Sequence, residues 1–308
     1  MTSSTDPLQF ISNSIGCFAL SFLSTKNLLN QLALGQIEER FFEADPDQVA
    51  TRSAIYTLIQ CNIIDNDKRP YQLTPLGKTL VDHISLIQML LGGYGNLLVR
   101  SIVEIPSNSL VHDYEVAKAS IAFGKNSIDP IVLEEIPLLH PKGTICDLGC
   151  GIPTRLLSFC TQFGLPGLGI DYSKKTLDMG KKLIKRDEKV RLERGDITNL
   201  KKIWRDVDII MQYFVLHDIT PASRCISVLQ NYQTHFPNFR YFLYVDIVFS
   251  LNKEHMPGFD YIHGLQNIQT RSYEETIDLF AKASLTIYKE RKIEKLPNTY
   301  LWILGPAP

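Results

Sequence analysis

The stretch TICDLGCGIPTRLL, residues 144–157, sets an acid before two glycines, Asp147, Gly149 and Gly151, in a pattern that reads as strand, turn and helix. Such a turn lets backbone approach a ligand and points the helix N–H groups at it. A dinucleotide fingerprint needs a third glycine at position 154, where Thr154 stands, and a phosphate loop needs Gly-Lys followed by Ser or Thr. Neither is present. An acid beside the glycines disfavours a pyrophosphate, because two anions would be neighbours, and suits a ligand bearing an ammonium and a sulfonium. Asp171, 24 residues further on at the end of a second strand, can accept hydrogen bonds from two ribose hydroxyls. Asp196, in RGDIT after a third strand, can accept from an adenine amino group while Ile197 lies against the ring. Tyr172 beside Asp171 and Phe214 beyond the fourth strand complete the expected contacts. The ligand with these groups is S-adenosylmethionine, and its chemistry is methyl transfer.

The segment YFVLHDITP places His217 and Asp218 directly after the fourth strand, where an acceptor would face the methyl group. A neutral phenol is a poor nucleophile, and a positioned imidazole can take its proton as the methyl moves. The plainer reading is that His217 caps a helix and Asp218 starts it. His263 lies in GFDYIHGLQNIQTRS, a largely uncharged stretch read as a loop at the same edge of the sheet, which suits a pocket wall. Asp246 falls late in the fifth strand.

The elements that must carry these residues are legible in the pattern. Strands are expected at 143–148, 167–171, 189–194, 207–213 and 241–248, separated early on by helical segments, which is the rhythm of βα units in a parallel sheet. The runs SLTIYKERKI and NTYLWILG predict a closing antiparallel hairpin. The expected fold is therefore α/β, a Rossmann-like, mostly parallel sheet with a C-terminal hairpin, preceded by a helical region. In that region Asp45 and Pro46 predict a helix start, with Ile55, Leu58 and Ile59 on one face up to Cys61. A polar turn, the short YQLT and a helix from Pro75 follow, which together resemble a winged-helix module. The expected domains are 1–105, helical and winged-helix-like; 106–142, connecting helices; and 143–308, the donor-binding catalytic part.

Composition narrows the classes. The 308 residues are 44% hydrophobic with a formal net charge of −1, so no overall field draws the chain to nucleic acid or an anionic membrane. Residues 47–80 hold four Lys or Arg against three Asp, too balanced for a phosphate-tracking helix, so they do not supply the basic recognition helix that a third reading, a transcriptional regulator, calls for. The apolar run from Ile15 to Leu23 is short for a bilayer span, and the first ten residues lack Lys and Arg, so a cytoplasmic protein without a secretory signal is expected. Cys17, Cys61, Cys146, Cys150, Cys160 and Cys225 form no C-x-x-C pair, consistent with reduced thiols. The apolar N-terminal helices are expected to pair with a second copy, making a homodimer.

DLGCG, GID and GDIT resemble the successive motifs of the class I S-adenosylmethionine-dependent methyltransferases over residues 143 to about 308. Pro153 departs from that pattern and is read as the first residue of the following helix. LHD, with the winged-helix-like start, is similar to the small-molecule O-methyltransferases, and the resemblance implies His217 as the base. FDYIHGLQ with LHD resembles a narrower branch, the α-keto acid C-methyltransferases of the 2-ketoarginine and phenylpyruvate type. That resemblance implies an iron ion on His217 and His263, chelated by the keto and carboxylate oxygens of the substrate. The chemistry explains the metal: a carbon beside a ketone becomes nucleophilic only when the enolate oxygen is stabilised, and imidazole is a suitable ligand for iron. Asp218 or Asp246 would complete the shell or orient a histidine. Tyr94 is expected to pack on the substrate and Arg100 to meet an anion, whereas Arg155 is read as facing solvent or a domain boundary. The leading expectation is metal-assisted methylation of the β-carbon of a small α-keto acid. The alternative is metal-free O-methylation with His217 as base.

Overall fold

The computed structural model describes residues 7–38, 48–100, 112–185, 189–249, 259–266, 268 and 270–307. The chain divides into two units, Met1–Gly95 and Asn96–Pro308, each considered by itself. No helix among the described residues is long and apolar enough to cross a membrane.

The first unit contains α1 (Pro7–Thr25), α2 (Leu28–Ala33) and α3 (Gln48–Gln60), followed by β1 (Ile64–Asp65), β2 (Gln72–Leu73), α4 (Pro75–Asp82) and α5 (Ile84–Gln88). Asp45 and Pro46 lie outside the described residues. The apolar spacing of α3 buries Ile55 and Leu58 and leaves Ile59 packed at the edge of the same core. β1 and β2 pair antiparallel, Ile64 opposite Leu73. Thr74 then caps α4 by accepting from Gly77 N at 3.0 Å, with Pro75 in the first turn, the arrangement its sequence calls for. On α1, Ile15 and Phe18 remain exposed.

The second unit opens with α6 (Gly95–Arg100), α7 (Asp113–Ser127) and α8 (Asp129–Glu135). β3 (Thr144–Leu148), α9 (Thr154–Phe163), β4 (Gly167–Asp171), α10 (Lys174–Lys181), β5 (Val190–Arg194), β6 (Val207–Tyr213), α11 (Ala222–His235) and β7 (Tyr241–Ile247) follow. The chain ends with α12 (Phe259–Leu265), α13 (Tyr273–Lys282), β8 (Leu285–Lys292) and β9 (Thr299–Pro306). Strands β3 to β7 are parallel, β9 joins antiparallel to β7 and β8 antiparallel to β9, in the order β5-β4-β3-β6-β7-β9-β8. Buried on both faces, β3, β4 and β6 read as continuous apolar runs rather than alternating ones. Strand order reverses between β3 and β6, and a crevice opens at the carboxyl ends of the strands at such a reversal. Asp147 and Tyr213 stand on its two sides.

Two expectations are corrected. His263 sits on a helix, α12, rather than a loop, because Phe259, Ile262 and His263 recur at helical spacing and are all buried. The helix after the glycine turn begins at Thr154, and Pro153 occupies its cap position instead of the first helical one.

The far end of the sheet carries an aromatic stack that reaches the site. Trp302 is fully buried, stacks on Tyr244 with centroids 5.6 Å apart, and meets Tyr300 at 5.3 Å and Phe280 at 5.6 Å. Its indole N–H donates to Glu290 Oε2 at 2.8 Å. Removing it leaves a cavity behind β7, so Trp302→Ala is expected to destabilise the protein by about 3–5 kcal/mol. Urea denaturation followed by circular dichroism checks this through the midpoint; an unchanged midpoint would remove the stack from the core that supports the site.

Candidate active site

The glycine turn is shaped by its backbone. Gly149 and Gly151 take φ of +77° and +51°, the left-handed region that favours glycine, and Gly149 N and Cys150 N donate to Ile170 O at 2.8 and 3.2 Å. A Cβ on Gly149 would stand 2.9 Å from Val215 Cγ2, so the turn after β3 touches the segment after β6. Asp147 is buried, and burial pushes its carboxyl up to about 7 although the Arg155 guanidinium opposes the rise. Asp171 accepts from Gly151 N and Ser173 N, both at 2.8 Å, so it braces the turn from the neighbouring strand. Asp196 is exposed and accepts from Thr198 N and Oγ1, both at 2.8 Å, with Ile197 packed against the core. Tyr172 is 62% exposed and Phe214 has φ of +56°. Asp147, Asp171 and Asp196 thus occupy or follow the ends of β3, β4 and β5 in turn.

The histidine cluster lies beyond β6. Leu216–Asp218 forms a short 3-10 turn, and His217 is 6% exposed within it. Its Nδ1–H donates to Asp246 Oδ1 at 2.5 Å, and its backbone N–H donates to Oδ2 at 3.3 Å. The Tyr244 hydroxyl also donates to Oδ2, and Ile247 N to Oδ1 at 2.8 Å. On α12, His263 is 4% exposed and its Nδ1–H donates to Phe259 O at 2.6 Å, one turn back. A carbonyl can only accept, so that proton is fixed on Nδ1. The two rings stand at 87° with centroids 4.7 Å apart. Each Nε2 lies 3.5 Å from Asp218 Oδ1, whose side chain is 52% exposed. His217, Asp218 and His263 therefore present three potential ligand atoms within 4.8 Å of one another.

The charges in the cluster follow from these contacts. Burial works against a charged His217, but the Asp246 and Asp218 carboxylates outweigh it and push the ring up to about 9. His263 is held below its ordinary value by burial and by the neighbouring His217 charge. The two rings are thus pushed in opposite directions, His217 toward its charged form and His263 toward its neutral one. The arrangement can either take and return a proton at His217 or, once that proton leaves, offer two nitrogen lone pairs and a carboxylate to a metal ion.

Sequence reasoning missed the roles of three residues that position the site. Tyr244 sits two residues before Asp246, the strand spacing that returns to the same face, and that relation was available in the sequence. Arg271 donates from Nη1 to Leu216 O at 2.8 Å and from Nη2 to Ile219 O, clamping the turn that carries His217 and Asp218. Arg155, expected at solvent or a domain boundary, is instead buried and paired with Asp129 at 2.8 Å, over the ring of Tyr213. No local pattern marks these two arginines. Tyr94 is a half-buried residue of the first unit, and Arg100 ends α6 with its side chain outside the described residues.

Comparisons with known proteins agree with this geometry. A family described as a methyltransferase domain matches residues 145–235. The chain is 32% identical over 298 residues to the indolepyruvate C-methyltransferase of Streptomyces griseus, covering 91% of this chain and 90% of that one. Among solved structures, CalO1, a methyltransferase in calicheamicin biosynthesis in its SAH-bound form, matches at 18% identity with a TM-score of 0.65, over 99% of this chain and 100% of that one. Human N-acetylserotonin methyltransferase in complex with SAM matches at 15% identity and a TM-score of 0.67 over 100% of both chains.

The raised value of His217 has a consequence for stability. A group whose folded value exceeds its unfolded one stabilises the fold fully below about 6.5, and that stabilisation is lost as pH rises through about 9. In the cation-free protein, raising the pH from 6 to 9.5 is therefore expected to lower the denaturation midpoint through this term. Asp246→Asn should flatten the difference and move the His217 imidazole titration, read by NMR, to lower pH. An unmoved titration would show that Asp246 does not set the charge.

Proposed function

Because this chain belongs to the S-adenosylmethionine-dependent methyltransferases, we propose that it transfers the methyl group to the β-carbon of a small 2-keto acid, with a metal ion held by His217 and His263. One observation carries the reading. Both rings have committed Nδ1 to an acceptor, and both Nε2 atoms lie 3.5 Å from the same oxygen of Asp218. Rings oriented through Nδ1, with Nε2 converging beside a carboxylate, fit a divalent cation, and imidazole with carboxylate suits iron. Asp218 is 52% exposed, so the cluster is open to solvent on that side. The relative's printed activity, C-methylation of indolepyruvate, supports the keto acid class.

The residues then divide the work. Asp147, Asp171 and Asp196 take the ammonium, ribose and adenine of the donor, and the glycine turn keeps side chains out of its way. Tyr172, Ile197 and Phe214 lie along the adenosyl part. Asp246 orients His217, and Phe259 O orients His263. When bound, the metal supplies Lewis acidity to the keto oxygen, which makes the β-proton removable. The β-carbon gives up its proton to solvent water and attacks the methyl in line; the carbon–sulfur bond breaks and its electron pair neutralises the sulfonium. Alignment is the main contribution, since the donor is already activated. The first unit is assigned to pairing with a second copy, supported by the exposed Ile15 and Phe18.

The strong His217–Asp246 pair favours a second reading, metal-free O-methylation with His217 Nε2 taking the hydroxyl proton. Incubating the protein with indolepyruvate and 13C-methyl-labelled donor, with and without ferrous iron, separates the two. Under the first reading the label appears on carbon, activity is lost in chelator, and His263→Ala lowers the rate by at least about 100-fold. Metal uptake, measured by equilibrium dialysis, should strengthen as pH rises toward 9 because the His217 proton must leave first. Full activity in chelator with the label on oxygen would overturn it.

A further inference from the structure

At the amino end of β7 the second unit holds a cavity of about 640 Å³, a volume typical of small-molecule sites. It is separate from the histidine cluster. Tyr241, which lines it, and Asp246 are five residues apart on β7, roughly 17 Å along an extended strand. The other apolar walls are Leu138 and Leu139 of the 3-10 turn Ile136–Leu139, Ile303 of β9 and Tyr288 of β8.

The sheet is irregular at this place, and the irregularity builds the wall. Successive residues of a strand face opposite sides, yet Tyr288 and Lys289 both line the cavity. The register explains it: Ile287 stands opposite Leu304 and Lys289 opposite Ile303, so Tyr288 is the extra residue of a bulge, a device that re-aims a side chain. Gly305 makes room for the re-aimed ring. A Cβ there would collide with the Tyr288 ring and stand 2.7 Å from Arg240 O. The Tyr288 ring meets that of Tyr241 edge to face, with centroids 6.1 Å apart.

The polar part of the lining is Glu135, Arg240 and Lys289, two cations to one carboxylate. Glu135 is buried and accepts from Lys289 Nζ at 2.8 and 2.7 Å and from Arg291 Nη1 at 2.8 Å, which Arg291 shares with the exposed Glu134. An ammonium has three protons, so Lys289 keeps one. Arg240 spends Nε and Nη2 on Asp208 at 2.6 and 2.7 Å, with Nη2 also donating to His140 O at 3.0 Å. Among the described residues its Nη1 protons are unspent. Two cationic donors beside aromatic and aliphatic walls fit an apolar ring that carries one negative charge. A carboxylate matches that single surplus charge, whereas a phosphate would bring two.

We propose that this cavity is a second ligand site, which takes an aromatic carboxylate with its ring against Tyr241, Tyr288 and Leu138 and its charge toward Arg240 and Lys289. The site is independent of the methyl acceptor proposed above, because it needs neither a keto group nor a metal.

Saturation-transfer NMR titration of the full chain with indole-3-acetate, which has ring and carboxylate but no 2-keto group, tests the proposal. A Kd of about 1 mM or tighter is expected for a ligand of this size. Leu138 is exposed, so Leu138→Asp keeps the fold and sets a carboxylate at the rim; it should weaken binding about 10-fold or more at an unchanged melting temperature. The neutral indole-3-acetamide should bind the wild type about 10-fold more weakly than the acetate. His263→Ala should bind the acetate as the wild type does. Absence of saturable binding to the folded wild type would overturn the proposal, and so would equal affinities for acetate and amide or an unchanged affinity in Leu138→Asp. Binding lost in His263→Ala and kept in Leu138→Asp would move the probe to the histidine cluster, which overturns it as well.

Discussion

The hydrogen bond between Asp246 and His217 is the contact on which the site depends. A carboxylate that is 1% exposed is tolerated only when its lone pairs are used, and here four donors reach it: His217 Nδ1, His217 N, Tyr244 Oη and Ile247 N. Two of these donors come from His217, so ring and backbone are fixed together. The consequence is a ring with one orientation, its Nδ1 committed to Asp246 and its Nε2 turned toward Asp218. Tyr244 joins this arrangement to the aromatic stack on Trp302, which makes the packing of the sheet's antiparallel end part of the site's geometry.

The donor turn and the histidine turn are not independent. Both follow strands that flank the reversal in strand order, β3 and β6, and the missing side chain of Gly149 is what allows Val215 to close on it. Arg271 fixes the histidine turn from the other side through two carbonyls that bracket His217 and Asp218. Held between a glycine backbone and a guanidinium, the 3-10 turn has little freedom to drift. In-line transfer needs that rigidity, since displacement of the acceptor by about an ångström is costly in rate.

Much of this was legible in the sequence, and what was not has a common cause. Strands such as 207–213 and 241–247 are apolar runs of the right length, so local pattern suffices to find them. The acids at the ends of β3 and β4 and after β5 follow directly from those strands. His263 was placed at the right edge of the sheet but on the wrong element, because the glycine at 264 and polar residues beyond it masked the helical spacing of Phe259, Ile262 and His263. Arg155 and Arg271 were invisible for another reason. Their partners, Asp129 and the carbonyls of Leu216 and Ile219, are 26, 55 and 52 residues away, and no periodicity within a helix or strand encodes such a meeting.

His263 also bears on which of the two chemistries the site serves. A base mechanism needs His217, its carboxylate and an acceptor; a second buried histidine adds nothing to it and opposes the imidazolium that the base becomes. The mutual effect is visible, since burial first and then the His217 charge hold His263 below its ordinary value. A polar ring 4% exposed, tied at Nδ1 and left with Nε2 3.5 Å from Asp218, is costly to maintain for packing alone. On the reading proposed above, His217, His263 and Asp218 would hold a cation in place of the His217 proton, which would remove the conflict. The same Asp246 that raises the basicity of His217 would then also strengthen it as a ligand, so one hydrogen bond would serve both states of the site.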